Sequence, residues 1–120
     1  RVIKETLMDQ TFVSGLGNIY VNEILFFCKI KPTKKTKNLL DEEIKKVIKF
    51  TKKVLSKAIK LGGSSIKDFS SDNGKKGLFQ QHFRVYGKKG EKCSTKSCNN
   101  NIIKISIANR ASFYCSKCQK

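Results

Sequence analysis

The spacing of apolar and polar residues divides the chain into three segments. Residues 1–61 follow a helical pattern, residues 62–92 are rich in Gly, Ser and Lys as loops are, and residues 93–120 form a segment bounded by cysteines. The longest helix is predicted over 41–61, starting at Asp41 and ending at the following Gly pair. Its apolar residues recur at close to i, i+3, i+4 spacing: Ile44, Val47, Ile48, Val54, Leu55 and Ala58.

Two shorter helices are predicted before the long one. The second, over about 18–28, is apolar on most sides and should be buried, with Asn18 as its N-cap. The first is predicted around 6–12, and the turn Ser14-Gly15-Leu16-Gly17 separates the two. Unpaired backbone N–H groups of this turn, together with the Asn18 amide, would suit a phosphate, and the alternative is a plain turn between helices.

The charge of the chain is strongly one-sided. Lys and Arg total 26 against 9 Asp and Glu, giving a formal charge of +17. Such a chain attracts polyanions, which predicts a nucleic acid partner, and the alternative is a Lys-rich surface that serves solubility. No apolar run approaches the roughly 20 residues of a membrane span, and no segment resembles a signal peptide. We therefore expect an intracellular protein without a membrane partner.

Four cysteines stand in two pairs, Cys93-x4-Cys98 and Cys115-x2-Cys118, separated by sixteen residues. In a reducing compartment, paired cysteines indicate a metal site more often than disulfides. Four thiolates can close a tetrahedron around Zn²⁺ at about 2.3 Å. The spacing predicts one structural Zn²⁺, with two disulfides or free thiols as the alternative. Cys28 stands alone on an apolar helix and is interpreted as a buried structural thiol.

The residues between the cysteine pairs predict a β-hairpin. Isoleucines alternate with polar residues over 103–107, and 111–114 supplies the return strand. Residues 108–110 then lie at or near the tip. Arg110 would be well placed there for phosphate or minor-groove contact, and the alternative is a solvated arginine.

The segment 67–89 is too polar and too rich in Gly for a packed element, and it predicts a mobile loop followed by a strand. His82, the only histidine, has no acid or nucleophile beside it in sequence and is interpreted as structural. The elements together predict a mainly α fold with a small β ribbon.

Five motifs span the chain: Leu7-Met8-Asp9-Gln10, Gly15-Leu16-Gly17-Asn18-Ile19-Tyr20 with Glu23, Gly62-Gly63-Ser64-Ser65-Ile66-Lys67-Asp68-Phe69, Val85-Tyr86-Gly87-Lys88-Lys89-Gly90, and Arg110-Ala111-Ser112-Phe113-Tyr114-Cys115-Ser116-Lys117-Cys118-Gln119. In this order they resemble the C-terminal half of the formamidopyrimidine-DNA glycosylase family. The four-residue spacer of the first cysteine pair departs from the two residues of many relatives, but it removes no ligand.

The resemblance implies a helix-two-turn-helix DNA-binding domain over 1–69, a lesion-capping loop and connecting strand over 70–87, and a four-cysteine zinc finger over 88–120. It implies that the DNA-binding residues are Lys4, Gly15, Gly17, Asn18, Tyr86 and Arg110. The loop that closes over the everted base would comprise Ser70, Ser71, Asp72, Asn73, Gly74, Lys75, Lys76, Gly77, Leu78 and Phe79.

The function implied by the resemblance is that of a bifunctional glycosylase and AP lyase in base excision repair. It would excise oxidised purines, 8-oxoguanine and formamidopyrimidines, from double-stranded DNA, and act as a monomer in the bacterial cytoplasm at the nucleoid. An endonuclease VIII-like relative shares the helices and the finger, but the loop favours the formamidopyrimidine branch.

The chain itself lacks the family's nucleophile, an N-terminal proline amine followed by a glutamate. Pro32 is internal, so its nitrogen is an amide and cannot form a Schiff base. We therefore expect this chain alone to be inactive, with the catalytic domain lying outside it. The alternative from another class is a stand-alone basic zinc-ribbon module, ribosomal or transcription-associated, that binds nucleic acid without chemistry.

Overall fold

The computed structural model describes residues 1–9, 17–60 and 83–120. In chain order the elements are helix α1 (Ile3–Met8), helix α2 (Asn18–Cys28), a 3-10 turn (Thr36–Asn38), helix α3 (Asp41–Lys60), and strands β1 (Ile103–Ile107) and β2 (Arg110–Tyr114). The two strands form one antiparallel sheet. The predicted combination of a mainly helical chain with a small β-hairpin is confirmed within these residues. None of the helices in the described ranges has the length and apolarity of a membrane span.

Helix α3 begins at the predicted residue, where three acidic side chains face the positive end of the helix dipole. Glu43 accepts the backbone N–H of Leu40 at 2.9 Å and pairs with the Lys34 ammonium at 2.9 Å. These two contacts lower the pKa of the Glu43 carboxyl, the backbone hydrogen bond most. The start of α3 is therefore stabilised by local contacts, between residues less than ten positions apart in the sequence.

The first helix lies earlier than predicted. It runs from Ile3 to Met8, and Asp9 is already extended. The prediction placed it around 6–12, of which residues 10–12 lie outside the described part of the chain. Its first N–H groups find acceptors far along the chain, because Ile3 N–H donates to the Lys34 carbonyl and Lys4 N–H to that of Pro32. Such distant acceptors leave no local signal, which explains the misplaced boundary.

The N-cap of α2 is also not the predicted one. Gly17 occupies the extended cap position, and Asn18 is the first helical residue. Helix α2 has no side-chain capping hydrogen bond. The Asn18 side chain reaches strand β2 instead, where its Nδ2 donates to the Ala111 carbonyl at 3.0 Å.

Two apolar clusters meet on α2. The larger joins α1, α2 and α3, and its buried members are Ile3, Leu7, Val21, Ile24, Leu25, Cys28, Ile30, Val47 and Val54. The smaller packs the hairpin against α2 through Phe26, Val85, Ile102, Phe113 and three of the cysteines. Helix α2 is apolar on most sides because it serves both clusters. On α3 the predicted stripe is only partly covered, since Ile44 and Ile48 remain 43% and 54% exposed.

The hairpin turns at Ala108-Asn109, as predicted. The pairing runs from Ile107↔Arg110 at the turn to Ile103↔Tyr114 at the open end. Both turn residues have positive φ, 50° and 64°, which matches the twist of a two-residue hairpin. Arg110 is thus the first residue of β2, one position before the predicted strand.

The predicted strand after the loop is wrong for the residues that the structure describes. Residues 83–87 form bends and turns. The backbone N–H groups of Arg84, Val85 and Tyr86 all converge on the Glu23 carboxylate. Three successive amides cannot face one point in an extended strand, where they alternate in direction.

Candidate nucleic-acid interface and metal centre

The four paired cysteines come together at the base of the hairpin. Their Sγ atoms all lie within 4.8 Å of one another. Cys93 and Cys118 are 3.8 Å apart, and Cys98 and Cys115 are 3.7 Å apart. A tetrahedron with sulfur at about 2.3 Å from its centre has edges of about 3.8 Å, so the cluster fits a bound tetrahedral metal ion. None of the four forms a disulfide.

The knuckle of the second cysteine pair is fixed by Gln119, which is fully buried. Its Oε1 accepts the Cys115 N–H at 2.9 Å, and its Nε2 donates to the Ile30 carbonyl at 3.0 Å. The neighbouring Lys120 N–H donates to the Lys29 carbonyl at the end of α2. The metal centre is therefore tied directly to the helical part of the chain.

Cys28, the fifth cysteine, lies in the larger apolar cluster and away from the other four. Burial raises the pKa of its thiol to about 12. A thiol that stays protonated is a poor nucleophile and a poor metal ligand. Its surroundings support the structural interpretation.

Arg110 is exposed at the start of β2, beside a cleft of about 260 Å³ between α1 and the hairpin turn. The cleft also contains Arg1 and Lys4. Asp9 and Glu5 line it as well: the Asp9 carboxylate is paired with Arg1 at 2.8 Å, and the Glu5 carboxylate accepts the Val2 N–H at 3.2 Å. Three cationic side chains against two carboxylates leave the cleft with a small excess of positive charge, beside the turn of the hairpin.

Lys4 is buried in the wall of this cleft, with 1% of the residue exposed. Its Nζ donates to the Ala111 carbonyl at 3.2 Å and to the Ser112 hydroxyl. Burial lowers the pKa of Lys4 from its ordinary 10.5 to about 8, and the nearby charge of Arg110 contributes to the same shift. The structure thus brings the predicted residues Lys4 and Arg110 together.

Asn18 joins them through the same acceptor. Its Nδ2 and the Lys4 ammonium both donate to the Ala111 carbonyl, directly after Arg110. The Asn18 Oδ1 is buried and has no hydrogen-bond partner in the described part of the chain. Gly17, next to it, is exposed, and a Cβ added there would meet nothing within 4 Å. Three residues predicted to bind DNA therefore surround one end of β2, with Gly17 beside them.

Tyr86 packs against the hairpin, next to Phe113 of β2. Its ring packs edge-on against Phe113 at 5.1 Å and Phe83 at 5.9 Å between centroids. Its N–H donates to Glu23 at 2.9 Å. Burial raises the pKa of the Glu23 carboxyl, while its three backbone donors act in the opposite direction. Both the ring and the backbone N–H of Tyr86 are therefore fixed by contacts.

Some predicted residues lie outside the described part of the chain: Gly15, His82 and the whole loop 70–79. Conversely, sequence reasoning missed the positioning contacts of Asn22, Glu23 and Gln119. A signal existed for two of them, because Asn22 and Glu23 are polar residues in the middle of an otherwise apolar helix. Buried polar groups need partners, so such residues point to a contact with another element.

Comparison with protein families gives a direct match. Residues 1–70 match the family described as the H2TH domain of formamidopyrimidine-DNA glycosylase. The matched region contains α1, α2 and α3. The chain belongs to this family, which confirms the resemblance drawn from the motifs.

Curated relatives carry the match across the hairpin. The formamidopyrimidine-DNA glycosylases of Rickettsia bellii and Ruegeria pomeroyi are 48% and 42% identical over 98% of this chain. That of Listeria monocytogenes is 41% identical over the whole chain. The chain spans about 42% of the length of the first two and 43% of the third.

Solved structures show the same similarity in three dimensions. A Lactococcus lactis Fpg in complex with DNA containing an abasic site superposes with a TM-score of 0.87 at 45% identity. A complex of that protein with DNA containing FAPY-dG gives 0.86 at 43% identity. Each covers 100% of this chain and 42% of the solved one.

Proposed function

We propose that this chain is the DNA-gripping part of a bifunctional DNA glycosylase and AP lyase that excises oxidised purines in base excision repair. The observation that carries the proposal is the position of Arg110, exposed beside a basic cleft at the tip of a braced hairpin. The similarity to a protein solved with abasic-site DNA supports it. The partner is double-stranded DNA with a damaged base or an abasic site.

The DNA backbone would lie along the cleft between α1 and the hairpin. The Arg110 guanidinium can fork onto two phosphate oxygens from the hairpin tip. The exposed backbone around Gly17, with Gly15, would take a phosphate at the start of α2, where the helix dipole favours an anion. Lys4 and Asn18 would support the same stretch from the wall of the cleft, and Tyr86 would contribute through its packing against Phe113 of β2. Residues 70–79 would cap the everted base.

The metal in the four-cysteine cluster would be a single structural Zn²⁺. Thiolates of Cys93, Cys98, Cys115 and Cys118 would hold it, filling all four tetrahedral positions. A site with four protein ligands leaves no position for water or substrate, so its role is to brace the hairpin. The proposed division is a DNA-binding helical domain over 1–69, a capping segment over 70–87 and a zinc finger over 88–120.

The covalent chemistry would not come from this chain. In the family that the chain resembles, the Schiff-base nucleophile is the amine of an N-terminal proline, and the nitrogen of Pro32 is an amide within the chain. The chain alone would bind DNA without cutting it, as part of a monomeric bacterial protein acting in the cytoplasm at the nucleoid. A covalent complex trapped by borohydride between this chain alone and abasic DNA would contradict this.

Lesion-dependent binding tests the proposal. If Arg110 grips the phosphate beside the extruded nucleotide, Arg110→Ala should weaken binding to an abasic duplex by about 1.5 to 3 kcal/mol, the scale of a charged hydrogen bond. Its effect on intact DNA should be smaller. Lys45→Ala, an exposed lysine on α3, is the control and should weaken both duplexes about equally.

The comparison also tests the alternative of a basic module that binds nucleic acid without repair function. Such a module would respond to Arg110→Ala and Lys45→Ala alike, on both duplexes. Equal losses would therefore remove the proposed role of Arg110 and favour the alternative. The measurement is a titration of both duplexes at one fixed salt concentration.

A further inference from the structure

Asn22 forms a hydrogen-bonded link between α2 and the strand that carries Arg110. It lies in the middle of α2 and is 1% exposed. Its Oδ1 accepts the backbone N–H of Phe113 at 2.7 Å, and its Nδ2 donates to the Asn18 carbonyl at 2.8 Å. Both ends of the amide are thus engaged, one with β2 and one with the first residue of its own helix.

The Phe113 N–H needs this partner because of the geometry of the hairpin. Opposed residues in an antiparallel pair alternate between hydrogen-bonded and non-hydrogen-bonded pairs. The Ile107↔Arg110 pair closes the turn, so the backbone groups of Ala111 and Phe113 face away from β1. In a two-stranded sheet this outer edge has no third strand to bind it.

Side chains of the helices take the place of that third strand. The Ala111 carbonyl receives Lys4 and Asn18, with Asn22 Nδ2 at 3.5 Å as a longer third donor, and the Phe113 N–H donates to Asn22 Oδ1. Lys4 and Asn18 use donors, which can turn to a phosphate oxygen as well as to a carbonyl. Asn22 offers β2 an acceptor oxygen, which has no proton to give to a phosphate, and the residue is 1% exposed. Unlike the donors of Lys4 and Asn18, this oxygen would therefore not be drawn towards bound DNA.

We propose that Asn22 is a positioning residue that fixes the register of β2 on α2 and thereby places Arg110 at the basic cleft. This inference rests on the proposed role of Arg110 as a phosphate contact. A strand that slips by one residue turns every side chain to the opposite face. Losing the Asn22 acceptor would therefore release Arg110 from the cleft although Asn22 itself touches no DNA.

The dependence of binding on salt distinguishes this role from general stabilisation. Each phosphate contact contributes about 0.9 to the slope of log K against log salt for duplex DNA. Asn22→Leu removes no charge, but it should lower the slope for abasic duplex by about 0.9, as Arg110→Ala does. We expect the affinity to fall about tenfold, close to the lower end of the range of one charged hydrogen bond. Asn22→Asp keeps an acceptor oxygen for Phe113, and because burial favours the protonated carboxyl, its hydroxyl can replace Nδ2 as donor to the Asn18 carbonyl. This variant should retain the parent slope.

Three further measurements make the experiment decisive. In an Arg110→Ala background, Asn22→Leu should cause no further loss of affinity. Val54→Ala, which truncates the core of α3 away from the hairpin, should lower thermal stability but leave the slope unchanged. If Asn22→Leu folds poorly, the test rests on Asn22→Asp. A folded Asn22→Asp protein whose slope of log K against log salt falls by about 0.9 would overturn the inference.

The outcomes separate the inference from the proposed function. If Arg110→Ala loses lesion binding while Asn22→Leu keeps the parent affinity and slope, the inference is wrong and the proposed function stands. Additive losses in the double variant would also overturn it, because Asn22 would then act independently of Arg110. If Arg110→Ala itself has no effect, the proposed function fails first.

Discussion

Lys4, which the family resemblance implies is a DNA-binding residue, also makes a structural contact within the chain. The resemblance assigns it to the DNA backbone, and the structure places its ammonium against the Ala111 carbonyl, 107 residues further along the chain. Asn18 reaches the same carbonyl across 93 residues. Sequence patterns report local spacing and cannot identify partners at such separations. The residue types were predictable, but their contact with β2 was not.

The buried ammonium of Lys4 should make stability depend on pH. Its pKa is lowered from 10.5 to about 8, chiefly by burial. Between those values the unfolded chain binds the proton that the folded chain has released, so the free energy of unfolding rises with pH across this window. From pH 7 to pH 9.5 the gain should be about 2 kcal/mol, at 1.36 kcal/mol for each pKa unit.

Lys4→Met is the reference, because it fills similar space without a titrating group. Denaturant unfolding at both pH values should show the parent gaining about 2 kcal/mol relative to the variant as pH rises. Any general effect of the large net charge is common to both proteins and cancels in the difference. Parallel pH curves for the two would show that Lys4 titrates normally.

At the scale of elements, the boundaries were predictable where the sequence carries its own start and stop signals. Helix α3 has Asp41 and two further acidic residues in its first turn, and it begins where predicted. Helix α1 was misplaced because its first N–H groups are satisfied by Pro32 and Lys34. The sequence of 83–87 predicts a strand, because the contacts of its backbone with Glu23 are tertiary and leave no local signal.

The turn of the hairpin contains a strained residue. Ala108 has φ 50°, a left-handed conformation that costs an L-residue with a Cβ about 1 to 2 kcal/mol. Asn tolerates this region and favours the first position of such turns. Ala108→Asn should therefore raise the free energy of unfolding by about 0.5 to 1 kcal/mol.

Denaturant unfolding of the metal-loaded protein measures this effect. Ser106→Asn is the matched control, because Ser106 is exposed on β1, where extended backbone disfavours Asn. It should destabilise slightly or not at all. A stability gain at Ser106 equal to that at Ala108 would attribute the effect to surface composition instead of turn conformation.

At the scale of the whole molecule, the two larger apolar clusters of the described residues are joined by α2 and by polar side chains that hold the hairpin. The cysteine spacing predicted the metal cluster because ligand spacing is a local property. The way the cluster is attached, through Gln119 to Ile30 and through Asn22 to Phe113, joins residues about 90 positions apart. The sequence therefore predicted the parts of the molecule, and only the structure showed how they are joined.

Removing the metal should unfold the hairpin cluster and leave the helical cluster folded. The hairpin cluster consists largely of the cysteines and the residues around them, and so small a core is usually not stable without a metal or disulfide. The helical cluster contains no residue of the hairpin. A chelator should therefore abolish binding to abasic duplex while most of the helical circular dichroism remains.

Metal analysis and two cysteine variants complete the test of a single structural Zn²⁺. The parent should carry one zinc per chain. Cys118→Ala should lose zinc and lesion binding together, because three thiolates leave the tetrahedron open to water and to exchange. Cys28→Ala, a buried thiol outside the cluster, should keep both. Zinc retained by Cys118→Ala, or lesion binding that survives complete loss of zinc, would show that the metal does not brace the hairpin, and the rigid placement of Arg110 would then need another cause.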